Sequence, residues 1–357
     1  MSKTTNHRYI SVDLADPIER EQIARMLDLT PVPRMTKDIR DAARTLGAGE
    51  VRFLVDAYYT MQKNRIRTEH QTRMLSKATA EDDGGKKVPQ PKPHDVIEWL
   101  SRQNHVLEQQ VKNALDKYSA AHPVGEWARE VLGVGPVICA GLLAGIDIHR
   151  APTVGHIWRI CGMNPEDKKR KGERLVWDPS LKRLCFLLGE SFTKVSGRKG
   201  AFYGKIYVER KLREVGKNDA GDFAAQAQQA LETRDFSKDT MARAWYSGCF
   251  PAGFCAGYYN VEPAARADLI KVSKGVWGSG VQMLAPARFQ LRAQRVAVKR
   301  FLSDLHAVWY FIEHGTMPPF PWVITHGGHA HYVQPPNIDG VRGMSEAIQA
   351  LPPPIVR

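Results

Sequence analysis

Apolar residues recur at helical spacing along most of this chain. From Gly49 to Ala78, Val51, Leu54, Val55, Tyr58, Met61, Ile66 and Leu75 mark one face, and the opposite face is charged. A second such stretch runs from Asp95 to Ala121, with Val96, Trp99, Leu100, Leu107, Val111, Leu115 and Tyr118 on its apolar side. The residues between them, 79–93, are rich in glycine and proline and cannot continue a helix. Two helices of similar length joined by such a linker predict an antiparallel helical hairpin or coiled coil. The same apolar faces can be satisfied within one chain or by a second copy, so a homo-oligomer stays open.

Further along, Asp178-Pro179 predicts a helix start, with Leu181, Leu184, Cys185, Leu188, Phe192 and Val195 facing inward. Phe202, Tyr203 and Tyr207 are better read as core than as a base-stacking platform. Pro286 opens a late helix on which Leu291, Val298, Leu302, Leu305, Trp309 and Ile312 form one face. On another face Arg288, Arg292, Arg295 and Lys299 fall at steps of four, three and four, a positive stripe. The expected fold is therefore mainly α: a long antiparallel helical hairpin plus a helix-hairpin-helix domain with a late basic helix. Its expected parts are a short segment over 1–47, the hairpin over 48–121 and the helix-hairpin-helix domain over 122–213. An insertion or small subdomain follows over 214–285, then the basic helix over 286–314 and a Pro/Gly-rich end over 315–357. In the first segment, Tyr9 to Val12 predicts a short strand, and Asp16 and Thr36 are candidate helix caps.

The stretch that suggests a function is Leu132-Gly133-Val134-Gly135-Pro136, a hydrophobic-Gly-hydrophobic-Gly turn between two helical patterns. Glycine adopts backbone conformations closed to other residues, so the turn is tight and its amides are bare. A helix start of this kind carries roughly half a positive charge and accepts phosphate. The amides of Gly133, Val134, Gly135 and Val137 are the predicted contacts. The plainer reading is that the glycines merely close a turn in an all-α core. Ala140, Gly141 and Ala144 at close-packing spacing, in basic surroundings, favour phosphate.

Charge sharpens this. Lys and Arg outnumber Asp and Glu 51 to 38, a net charge of +13, which implies anionic partners, nucleic acid first. Between Pro165 and Arg213 there are fourteen Lys/Arg against six Asp/Glu, including the run Lys168, Lys169, Arg170 and Lys171. No apolar run approaches the roughly 20 residues of a membrane span, and the start, MSKTTNHRYISVDLADP, has no apolar signal core, so the expected location is the cytoplasm. The five cysteines form no CxxC pair, and Cys139, Cys161 and Cys185 read as buried thiols.

The order of parts, namely the helical hairpin, the glycine turn, Cys161-Gly162-Met163-Asn164-Pro165, a basic loop and Asp178-Pro179-Ser180-Leu181-Lys182-Arg183-Leu184, resembles a known family. It is similar to the carboxy-terminal portion of the helix-hairpin-helix transposase-domain family, the serine transposases of insertion sequences that join a RuvC-like nuclease domain, a coiled coil and a helix-hairpin-helix domain. The resemblance covers about Gly49 to Arg213 and the late basic helix. It implies binding of DNA and of a guide RNA by a multimer. It also implies four metal-binding acids near the amino terminus and a nucleophilic serine after the glycine turn. Here only about 47 residues precede the hairpin, and the loop Glu166 to Asp178 holds no Ser, Thr or Cys. The expectation is a transposase-derived, largely sequence-independent DNA-binding protein of recombination or mobile-element biology, with no catalytic residue and no cofactor assigned.

Two other readings remain open. His326, His329 and His331 lie within six residues and could ligate a divalent metal, with His306 or Asp304 nearby, in a metal-dependent nuclease or recombinase. Surface histidines are the simpler reading of that cluster. RNA binding, or a structural assembly role, would also use the basic charge.

Overall fold

A computed structural model describes residues 34–78, 95–167, 171–236, 240–248, 282–321, 324 and 333–351. It is mainly helical, with no strand among the described residues, and the predicted strand at Tyr9 to Val12 lies outside them. No helix among the described residues is long and apolar enough to cross a membrane. The chain divides into two compact units, Met1–Ala121 and His122–Arg357.

In the first unit Thr36 caps α1 (Lys37–Ala42), its side chain accepting from the Ile39 amide. A short 3-10 turn leads to α2 (Ala48–Ala78), which packs against α3 (Asp95–Ala121). The core is Val51, Val55, Tyr58 and Tyr59 of α2 with Val111, Ala114 and Leu115 of α3, all buried. The predicted apolar seam holds over only part of its length. Ile66, Val96, Trp99 and Leu100 are exposed, between 41% and 62%, whereas Leu54, Met61, Leu107 and Tyr118 are half-buried. Leu75 lies outside the described side chains. Where the seam thins, polar groups take over. Glu108, 2% exposed, accepts from Arg65 Nε at 2.6 Å and from Gln62 at 3.3 Å, and Arg65 also reaches Glu69 at 2.9 Å.

The second unit opens with one amphipathic helix and one that is apolar throughout. α4 (Pro123–Glu130) and α5 (Pro136–Gly145) are joined by the short stretch 131–135, and Val137, Cys139, Ala140, Leu142, Leu143 and Ala144 of α5 are buried. α6 (Val154–Ile160) follows. Asp178 then starts α7 (Pro179–Val195), accepting from the Ser180 and Leu181 amides at 2.7 and 3.1 Å, with proline in the first turn where no amide is missed. α8 spans Phe202–Asp219, α9 Ala224–Thr233, α10 Met241–Ser247, α11 Pro286–His314 and α12 Met344–Gln349. The expected boundary at 213 falls inside α8. Asn218, fully buried, exchanges two hydrogen bonds with the Leu284 backbone, so the described parts of 214–285 share a core with α11.

Late α11 is buried on nearly every side, and its Phe301 ring is the hub. Phe192 (5.8 Å between centroids), Tyr203 (5.3 Å) and Trp127 (6.0 Å) surround it. Trp127 Nε1 also donates to the Pro336 carbonyl at 2.7 Å, tying α4 to the carboxy-terminal stretch. Tyr203 and Tyr207 are buried, as their spacing suggested, whereas Leu291 is 49% exposed, a departure from its predicted core role. The buried side of that turn of α11 is taken by Phe289, Ala293 and Gln294.

Candidate nucleic-acid interface

The turn between α4 and α5 shows what each glycine does. Gly133 has φ +105°, and a side-chain carbon placed there would lie 2.9 Å from the Phe192 ring and 3.3 Å from Val195. Ser191 Oγ donates to the Gly133 carbonyl at 2.6 Å. The side-chain side of Gly133 is thus closed by α7 and its carbonyl is occupied, while the residue itself is half-buried. The predicted contact at Val134 is corrected: its amide already donates to the Val131 carbonyl at 3.0 Å, and its side chain is buried.

Gly135 behaves differently. Its φ is −84°, and no atom lies within 4 Å of where its side chain would be. It precedes α5, whose first turn has no side-chain cap and no acid. Pro136 has no N–H, so the amides entering the helix are those of Val137 and Ile138, which have no acceptor within it. The Val137 side chain itself is buried. An anion approaching here would meet the Gly135 edge of the turn.

Other cations than those the sequence singled out lie on the elements that meet this turn. Arg129 Nη1 donates to the Val134 carbonyl at 3.4 Å. Val195, whose side chain lies 3.3 Å from where a Gly133 side chain would begin, ends α7, and an exposed stretch over 197–200 follows, in which the Arg198 amide donates to the Val195 carbonyl at 2.9 Å. Lys194, Arg198 and Lys199 are exposed. The signal for them was present as Lys194 and Arg198-Lys199 after a helix, but the contact that brings their helix to the turn joins residues about 60 positions apart.

Of the predicted basic loop, Lys171 is exposed, and Lys168, Lys169 and Arg170 lie outside the described residues. The stripe on α11 divides. Arg288 and Arg295 are exposed, but Arg292 pairs with buried Glu214 at 3.1 Å, donates to Gln226 at 2.6 Å and stacks over Phe223 at 4.8 Å. Arg292 is therefore engaged in packing between α11 and α8, which corrects its predicted place in the stripe. Lys299 places its ammonium 3.9 Å from the Trp158 ring centre. Burial, and then the neighbouring Arg295 charge, hold it below the usual lysine range.

No family, characterised protein or solved structure matches this chain.

The other chemistry named from sequence is less well served. His326, His329 and His331 lie outside the described residues, and among the described residues no cluster of three or more ligating side chains forms. His306 and Asp304, their suggested helpers, are buried and engaged. His306 Nε2 meets the Ala151 carbonyl at 2.8 Å, and Asp304 accepts from Tyr203 Oη at 2.8 Å and Arg300 Nε at 3.0 Å. Burial raises the Asp304 carboxyl to about 6, against the pull of Arg300 and Tyr203.

A carboxyl raised on folding favours the native state while it is protonated. Its contribution is complete below the unfolded value near 3.8 and is lost as pH rises through about 6. That gap corresponds to about 3 kcal/mol. Asp304→Asn should therefore flatten the stability of the second unit between pH 4 and 6. Urea midpoints measured across that range check this, and a parallel decline in both chains would show that Asp304 is not the titrating group.

Proposed function

We propose that the second unit binds the sugar–phosphate backbone of DNA largely without reading sequence. The observation that carries this is the open Gly135 edge of α5. It is uncapped and free of acids in its first turn, Arg129 bonds to the turn itself, and the exposed Lys194, Arg198 and Lys199 lie at and just beyond the end of α7, whose Phe192 and Val195 meet the turn at Gly133. Helix-start amides supply the geometry for a phosphate, and the cations supply attraction by releasing counterions from the strand. Arg288, Arg295 and Lys171 extend the positive surface, in keeping with the net charge of +13. The resemblance of its order of parts to the helix-hairpin-helix transposases supports recombination or mobile-element biology as the setting of this binding.

The test is affinity for duplex DNA, branched DNA, single strands and RNA at several salt concentrations. With roughly four phosphates neutralised, affinity should fall about a hundredfold between 50 and 200 mM salt. Charge reversal at Arg198 and Lys199 should weaken binding to all sequences alike and flatten the salt slope. Absence of binding at 50 mM salt, or a slope untouched by those changes, would remove the proposal.

A further inference from the structure

One face of α11, with Val296, Lys299, Ser303 and Ala307 at steps of three and four, walls a cavity together with Trp158 and the stretch Met317–Pro321. Its volume is about 470 Å³, within the size range of sites for small organic ligands. Most of the wall is apolar, including Pro318, Pro319 and Phe320.

The polar groups are few, and each has a definable state. Asp304 also lines the cavity but is already held by Arg300 and Tyr203. Lys299, by contrast, has no carboxylate partner among the described residues and rests on the Trp158 ring beside the second positive charge of Arg295. His306 gives its Nε2–H to Ala151, which leaves Nδ1 as an acceptor on a residue that lines the cavity. Ser303 donates to the Lys299 carbonyl at 3.0 Å, leaving its oxygen free to accept. The chamber therefore combines apolar walls, two side chains with an acceptor to spare and a cation with no carboxylate partner among the described residues.

We propose that this cavity takes one unstacked nucleotide of a bound single strand, its base against the apolar walls and its phosphate at Lys299. The inference rests on the backbone-binding reading above. A flat ring suits the proline and aromatic walls, and every nucleobase carries an N–H that His306 Nδ1 or Ser303 Oγ can accept. A base paired within a duplex cannot reach such a chamber, whereas a single strand presents its bases freely.

The experiment compares an oligothymidylate with an abasic strand of equal length, which has the same phosphates and no bases. For the full chain the base-bearing strand should bind about tenfold more tightly. Val296→Trp, or Ser303→Leu if that chain fails to fold, fills the cavity and should bring the ratio to one. Lys299→Met should weaken the base-bearing strand more than the abasic one, because only a seated base brings its phosphate to the lysine. Equal affinities in the unaltered chain, or a ratio that survives filling of the cavity, would overturn the proposal. Duplex binding with its salt slope is measured on the same chains. If it persists while the ratio is one, the cavity proposal alone fails; if it is absent, the backbone-binding reading fails as well.

Discussion

A chain carrying Gly133→Ala should lose about 4 kcal/mol of stability in its second unit, a large part of the roughly 5–15 kcal/mol that holds a domain folded. Two effects add. A φ of +105° lies outside the region that side-chain-bearing residues adopt readily, at a cost of about 1–3 kcal/mol. The new carbon would also lie 2.9 Å from the Phe192 ring, and that ring cannot retreat. Phe192 is fully buried, stacked on Tyr203 at 5.1 Å and set against Phe301, so crowding adds about 1–3 kcal/mol. Gly135→Ala, two residues on, should cost under about 1 kcal/mol, the price of a poorer residue at the head of a helix. Hydrogen exchange across α4, α5 and α7 would separate the two, and equal protection in both variants would contradict the close approach of α7 to the turn. DNA affinity gives the complementary reading, since only Gly135→Ala puts a methyl group on the open edge without disturbing the fold.

Arg65→Ala should destabilise the first unit by about 3–5 kcal/mol, because it leaves the Glu108 carboxylate buried without a cation. Burial by itself would raise Glu108, but Arg65, Gln62 and Tyr58 together hold it below the usual carboxylate range. A depressed carboxyl adds stability above its unfolded value, and that contribution disappears as the solution is acidified through the folded value. In the Arg65→Ala chain only burial and weaker hydrogen bonds remain, so Glu108 should rise and the variant should recover stability on acidification. Opposite slopes between pH 7 and pH 4 for the two chains, followed by exchange protection in α2 and α3, are the expected result. Slopes of the same sign would mean that Arg65 does not govern Glu108.

The elements were legible in the sequence where a local rule applied. Thr36 and Asp178 cap the helices they precede, Pro136 and Pro286 stand in first turns, and Leu181, Leu184, Cys185, Leu188 and Phe192 turn inward as their spacing requires. Side-chain partners were less legible, because they depend on contacts between distant parts of the chain. Nothing near Arg292 announces Glu214, 78 positions away, and periodicity alone cannot tell a paired arginine from a free one. The two glycines of the turn look interchangeable in sequence, yet one meets α7 and the other meets open space. The same limit hid the cations on the elements that meet the turn, and it made the hairpin seam look uniformly apolar when Glu108 and Arg65 interrupt it.

The bond from Trp127 to the Pro336 carbonyl spans 209 residues, and the ring of the same tryptophan lies against Phe301. During synthesis, the first helix after Ala121 must therefore wait for nearly all of the remaining chain to leave the ribosome before its tryptophan finds either neighbour. At ordinary elongation speeds of about 5–20 residues per second, that wait lasts tens of seconds. Until then α5, one of the most apolar segments of the second unit, waits for cover, which makes that interval the point at which chaperones would matter most.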